Sequence, residues 1–214
     1  MMPSWILAVA LSALTASTVP DTGSPTWPGF SATADSSPTL AAYAHGPLDV
    51  YSTPGDVAEP DSVVDPLTIL GTVTVLGVVT PPQRGWVEVM LPERPNGSTG
   101  WVRADQVSLY VVDGEIVVDL SDRILTYTVD GVEVLRTEAG IGSVHNQTPT
   151  GEFFVTDNVT VADPNGPWGP HALGLSARSD TITEFKGGDG IIGIHGTNNP
   201  SSLGDDISLG CVRL

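Results

Sequence analysis

One thiol and one imidazole stand close together near the end of this chain. Cys211 is the only cysteine among 214 residues, and His195 lies sixteen positions before it. A thiol becomes a strong nucleophile as the thiolate, and an imidazole within reach can take its proton. Glycines accompany both residues: Gly196 follows the histidine and Gly210 precedes the cysteine. Beside a glycine, the N–H groups of Gly210 and Cys211 are unobstructed and can face a developing oxyanion. The short apolar run Ile191 to Ile194 delivers the histidine. Together these residues are the minimum kit for thiol acyl transfer. On residue types alone a bland alternative stays open. A lone cysteine is often a small buried hydrophobe, and a lone histidine beside an apolar strand a hydrogen-bonded core residue.

The whole string sharpens the choice. Ile-His-Gly-Thr-Asn-x-Pro from Ile194, Leu203-Gly204, then Ser-x-Gly-Cys-Val-Arg-Leu from Ser208 resemble the signature of the L,D-transpeptidase (YkuD-type) catalytic domain. That family runs His-Gly, then Ser/Thr-His-Gly-Cys, an apolar residue and Asn or Arg. Leu209 departs, standing where the family often has a second histidine. The resemblance implies a cysteine acyltransferase acting on peptidoglycan stem tetrapeptides. It would release the terminal D-alanine and pass the acyl group to an amine on a neighbouring stem, giving a three-to-three cross-link. Cys211 would be the nucleophile and His195 the general base, and the N–H groups of Gly210 and Cys211 the oxyanion hole. A backbone carbonyl in Gly196 to Thr197 would orient the imidazole. Ser208 and Arg213 border the thiol as candidate substrate contacts; Arg213 either grips a carboxylate bidentately or forms a surface ion pair. Carbapenem β-lactams are the expected covalent inhibitors. Two alternatives accompany this reading: a catalytically impaired cell-wall-binding protein, and a thiol hydrolase (L,D-carboxypeptidase) on the same peptides.

The elements that must position these residues read as strands and turns. Residues 114–214 are expected to form the catalytic domain. Glu115 to Leu120 and Ile124 to Val129 alternate, and Asp130-Gly131 before Val132 to Thr137 is a strong hairpin signal. Thr-Pro-Thr-Gly-Glu-Phe from Thr148 matches a family motif and reads as a tight bend feeding a strand. Asn158 to Gly169 is a loop containing Trp168, and His171 just beyond it is either a second imidazole near the thiol or a polar loop residue. Gly187-Gly188 lacks the following Lys-Ser/Thr and helix that a phosphate cradle needs. Family members continue through a closing strand beyond the cysteine motif, whereas this sequence ends three residues after Cys211; an unpaired sheet edge beside the nucleophile is expected on that basis.

Residues 46–112 show short alternating runs broken by turns, the pattern of a small barrel. Gly-Trp-Val-Glu-Val-Met-Leu-Pro from Gly85 and Pro-Asn-Gly-Ser-Thr-Gly-Trp-Val-Arg from Pro95 resemble a bacterial SH3-like domain, a module that often binds cell-wall peptide or polysaccharide. Trp86 and Trp101 read more simply as its core residues. The predicted fold class is therefore all-β: a small SH3-like barrel followed by a YkuD-like β-rich catalytic domain.

The apolar run Trp5 to Leu14 is too short to span a bilayer and precedes small residues, so residues 1–18 read as a signal peptide, although no Lys or Arg precedes the run. Residues 19–45, rich in Pro, Ser and Thr, read as a linker. Export to the cell envelope follows as an expectation, and one unpaired thiol in an exported chain is worth flagging as reactive. With a formal net charge of −17 and eight Lys plus Arg, nucleic-acid binding is excluded, because phosphate contacts need cations. One cysteine and scattered histidines, His45 and His145 among them, argue against a metal site. No cofactor is expected, and the chain is expected to act as a monomer.

Overall fold

The computed structural model describes residues 5–10 (as backbone), 39–55 and 59–214. The remainder of the 1–18 and 19–45 segments lies outside the described residues. The fold is all-β, built from two modules.

In chain order the strands of the first module are β2 (Leu40–Ala44), β3 (Leu48–Val50), β4 (Ser62–Val64), β5 (Val75–Gln83), β6 (Trp86–Met90), β7 (Thr99–Arg103) and β8 (Val107–Val111), β1 being the strand Trp5–Ala10 described below. Five of them form one sheet in the order β7-β6-β5-β2-β8, and β3 pairs with β4 in a separate ribbon. Alternation sends Val87 and Val89 of β6 and Val102 of β7 inward, where they join Leu48 and Leu76 at 0% exposure. Trp86 is buried and meets Tyr51 edge-to-face, with ring centroids 5.2 Å apart. Trp101 is half-buried. Leu40–Ala44 lies in the stretch read as linker but forms the strand between β5 and β8. Its small apolar residues Ala41 and Ala42 are buried, and five residues of that kind are too few to stand out from a Pro/Ser-rich neighbourhood.

The second module begins with β9 (Gly114–Asp119), β10 (Ile124–Val129) and β11 (Val132–Glu138), an antiparallel meander. The turn at Asp130-Gly131 has φ of 51° and 74°, the left-handed pair that a two-residue hairpin needs. β12 (Ile141–Gly142) pairs with β16 (Asp206–Ser208), and β13 (Gly151–Thr160), β14 (His171–Arg178), β15 (Ile191–His195) and β17 (Val212–Arg213) complete the main sheet. That sheet has eight strands in the order β11-β10-β9-β1-β13-β14-β15-β17. Its core gathers Val118, Leu125, Leu175, Ile192 and Val212, each at most 2% exposed.

β1, Trp5–Ala10, comes from the apolar run read as a signal peptide. Here it lies between β9 and β13, antiparallel to the first and parallel to the second, with Ile6 opposite both Val118 and Gly151. An apolar run of this length suits a strand paired on both sides as well as it suits a leader.

The two modules meet along β13. Phe153 packs in the core of the second module, whereas Phe154 packs in the core of the first. Two residues further on the same face as Phe153 comes Val155, and then the carboxylate of Asp157 crosses the junction, buried at 3% exposure. It accepts hydrogen bonds from the hydroxyls of Thr68 and Thr72 in the first module and of its neighbour Thr156. A buried charge held by three donors is satisfied where it stands.

Candidate active site

Cys211 sits in the turn between β16 and β17. Ser208, at 1% exposure, staples that turn: its hydroxyl donates to the Cys211 carbonyl at 2.6 Å and accepts the Gly210 N–H at 3.0 Å. Gly210 has φ of +115°, and a Cβ there would come within 2.9 Å of the Ile192 side chain. Only glycine combines that backbone with that clearance. The turn lays the sulfur over β15, where the Gly193 N–H donates to it at 3.4 Å.

His195 ends β15, next to β17 in a parallel pair that sets His195 opposite Arg213. The ring Nδ1–H donates to the Gly196 carbonyl at 2.7 Å. This fixes the tautomer and leaves the lone pair on Nε2, the state a general base requires. The indole of Trp168 stacks on the imidazole. The stack is possible because Gly169 and Gly196 pass backbone against backbone: a Cβ on Gly169 would lie 2.7 Å from the Gly196 Cα.

Burial dominates the electrostatics of both groups. It pushes the Cys211 thiol up, against the opposing pull of the Gly193 N–H and the Arg213 charge. It pushes the His195 imidazole down, against the Gly196 carbonyl, which favours the protonated ring; Arg213 adds to the fall. Both directions favour the uncharged forms, neutral thiol and neutral imidazole.

Cys211 and His195 line one cleft with Trp168, Ser179, Ile182, Phe185, Ser208, Leu209 and Arg213. No Asp or Glu is among these lining residues in a chain of net charge −17. The Nε of Arg213 is buried without a hydrogen-bond partner among the described residues. Among the described residues, no three His, Cys, Asp or Glu gather as metal ligands.

The expected site residues divide by placement. Cys211, His195, Ser208 and Arg213 share the cleft, and Gly196 supplies the orienting carbonyl. Thr197 instead accepts the Asn199 N–H through its hydroxyl. The Gly210 N–H, expected in an oxyanion hole, donates to the Ser208 hydroxyl. Ser208 itself spends its hydroxyl on the turn that carries Cys211. His171 is exposed and absent from the cleft lining, because Ala172 is the β14 residue opposite His195 and alternation turns its neighbour away. Trp168 and Gly193 were not anticipated. The first is marked in sequence only as an aromatic in a polar loop, and the second acts through its backbone.

Comparison with known proteins finds similarity over the second module. Residues 113–214 match the YkuD family, described as the L,D-transpeptidase catalytic domain. YkuD of Bacillus subtilis, provisionally named an L,D-transpeptidase, is 32% identical over 105 residues, covering 49% of this chain and 56% of its own length. The Bacillus licheniformis protein of the same name is 35% identical over 99 residues, covering 46% and 52%. The chain thus spans about half the length of the curated relatives it matches. An L,D-transpeptidase structure from Mycobacterium smegmatis aligns over 78% of this chain and 89% of its own at 16% identity, with a TM-score of 0.36.

Proposed function

We propose that this chain is an exported L,D-transpeptidase that cross-links peptidoglycan stem peptides through a Cys211 acyl-enzyme. The match of residues 113–214 to the L,D-transpeptidase catalytic domain supports the reaction class. The observation that carries the roles is the cleft shared by an only thiol and an imidazole whose Nδ1–H is tied to Gly196.

The donor is a stem tetrapeptide. As the sulfur attacks the carbonyl carbon before the terminal D-alanine, Nε2 of His195 accepts the thiol proton. The carbonyl oxygen becomes an oxyanion beside the Cys211 N–H. Collapse breaks the C–N bond, and His195 returns the proton to the departing amine of D-alanine. A thioester remains on Cys211. The acceptor amine of a neighbouring stem attacks it and gives a proton to His195; the C–S bond breaks, His195 passes that proton to the sulfur, and the three-to-three product leaves. The cationic Arg213 in the lining and the absence of lining carboxylates favour a donor that carries a carboxylate. Export belongs to the proposal because such stems lie outside the cytoplasmic membrane; it rests on the apolar run Trp5 to Leu14 acting as a leader, a role that would remove β1 from the sheet of the processed chain. Kinship of the first module to SH3-like domains rests on its paired Gly-Trp strands, Trp86↔Arg103 and Glu88↔Trp101 in register.

Intact-mass measurement tests the nucleophile. Wild-type protein incubated with a carbapenem should gain one covalent adduct, and Cys211→Ser should gain none. An adduct on Cys211→Ser would remove the assignment. Supplied with tetrapeptide stems, the enzyme should release D-alanine and form dimers; free tripeptide alone would identify the thiol hydrolase, and no turnover by a folded protein the impaired wall binder.

A further inference from the structure

One wall of the thiol cleft is the segment joining β14 to β15, from Ser179 to Gly190; Ser179, Ile182, Phe185 and Gly190 line the cleft from it. Most of this segment is exposed and carries little core of its own: residues 183–187 are all exposed. Its internal bonds are few. The Ser179 N–H reaches the Gly190 carbonyl at 2.8 Å, the Ser179 hydroxyl accepts the Ile182 N–H at 3.0 Å, and Phe185 exchanges backbone bonds with Gly188. Such a segment does not fix its own shape.

Within its own module the Thr181 hydroxyl donates to Asn146 at 3.0 Å; further bonds that hold this wall come from the first module. The β6–β7 turn presents Arg94 and Asn96 to this wall. The Asn96 side-chain amide clasps the Arg178 backbone with two bonds: Nδ2 donates to its carbonyl and Oδ1 accepts its N–H, both at 2.8 Å. One Arg94 Nη donates to the Ser179 carbonyl at 3.0 Å and to the Ile182 carbonyl at 3.1 Å. Arg178 answers in the opposite direction, donating to the Pro92 carbonyl and pairing with Asp189 at the far end of the same segment at 2.6 Å. Gly190 closes the loop so tightly that a Cβ there would collide with the Ile182 carbonyl and sit 2.9 Å from the Arg94 guanidinium. The cross-module bonds thus grip the near end of the wall and its first bend, and the Arg178–Asp189 pair ties the far end back to that gripped end.

We propose that the first module is a structural part of the active site, with Arg94 and Asn96 as positioning residues that set the Ser179–Gly190 wall against which the acyl donor lies. The consequence for the donor rests on the proposed transpeptidase reading of the cleft; the consequence for the wall does not.

The test compares the full chain with Arg94→Ala, Asn96→Ala and Arg94→Lys. Hydrogen–deuterium exchange in residues 181–190 should speed up in both alanine variants, with residues 191–195 unchanged. Alkylation of Cys211 by iodoacetamide, too small to need the wall, should keep its rate. The half-saturating carbapenem concentration for acylation should rise about tenfold, with the maximal acylation rate retained. Arg94→Lys, which can still reach one carbonyl, should recover part of that loss. Unchanged exchange in residues 181–190 would overturn the proposal. So would an equal fall in iodoacetamide and carbapenem rates, which would mean that the thiol, and not the wall, had moved. Should alanine at 94 unfold the chain, Asn96→Ala and Arg94→Lys carry the same comparison. If wild-type protein resists carbapenem altogether, the transpeptidase reading fails and the exchange data still decide the role of the wall.

Discussion

The indole of Trp168 lies against the imidazole of His195 with ring centroids 5.1 Å apart and planes inclined by 18°. On the indole, the ammonium of Lys186 stands 5.4 Å from the ring centroid. The aromatic face thus shields the base from water while its partner on Nδ1 fixes the tautomer. Burial is the main cause that depresses the imidazole, and the indole covers one face of the ring.

Removing that shield should move the base. In Trp168→Ala the imidazole should rise toward its ordinary pKa of about 6.5. A raised pKa leaves less neutral base at mildly acidic pH, so the acid limb of the acylation profile should shift to higher pH. Trp168→Phe, which keeps a stacked face, should shift less. A His195 titration by NMR in the three proteins checks the direction, and identical titrations would show that the stack does not control the ring.

Burial of the thiol predicts how it meets simple reagents. Because its pKa is pushed up, iodoacetamide alkylation should climb with pH through and beyond the range of an ordinary cysteine, about 8.5, with no plateau near pH 6 to 7. Carbapenem acylation at neutral pH should depend on His195, and His195→Ala should slow it by roughly 10² to 10⁴. Alkylation of His195→Ala at high pH, where the thiol ionises unaided, should survive. A preformed thiolate–imidazolium pair would instead give rapid alkylation near pH 6, abolished by the same substitution.

Ser208→Ala deletes the staple that shapes the nucleophile turn. It leaves the Cys211 carbonyl and the Gly210 N–H without their shared hydroxyl. The buried loss should cost about 1–3 kcal/mol of folding stability, read by urea denaturation. Acylation by carbapenem should slow although Cys211 and His195 are both present. Wild-type stability together with wild-type acylation would show that the turn holds without the hydroxyl.

The shared placement of thiol and imidazole was legible where side-chain type and chain proximity coincide. Cys211 and His195 are rare residues within one short stretch; His195 ends β15, Cys211 directly precedes β17, and those two strands are immediate neighbours in the sheet. The Asp130-Gly131 hairpin was legible because its left-handed turn demands those residue types. Trp168 was not, since stacking on His195 depends on two glycines, Gly169 and Gly196, meeting from separate segments. Gly193 was invisible because what it contributes is an N–H. Asn96 and Arg178 lie 82 positions apart, and no local period or motif encodes such a pair. β1 shows a different limit: six apolar residues have the same composition whether they serve as a leader or as a paired strand.

Phe153 and Phe154 are consecutive, and the pleat of β13 sends one ring into each core. The boundary near residue 113 is therefore a boundary in the chain but not in the packing. A gene cut there would hand the transplanted half a phenylalanine with no pocket, and would leave a hole in the half that stayed behind. These modules are ill-suited to shuffling between proteins as independent cassettes. Inheritance should keep them together, with position 154 and its pocket around Gly77 drifting only in concert.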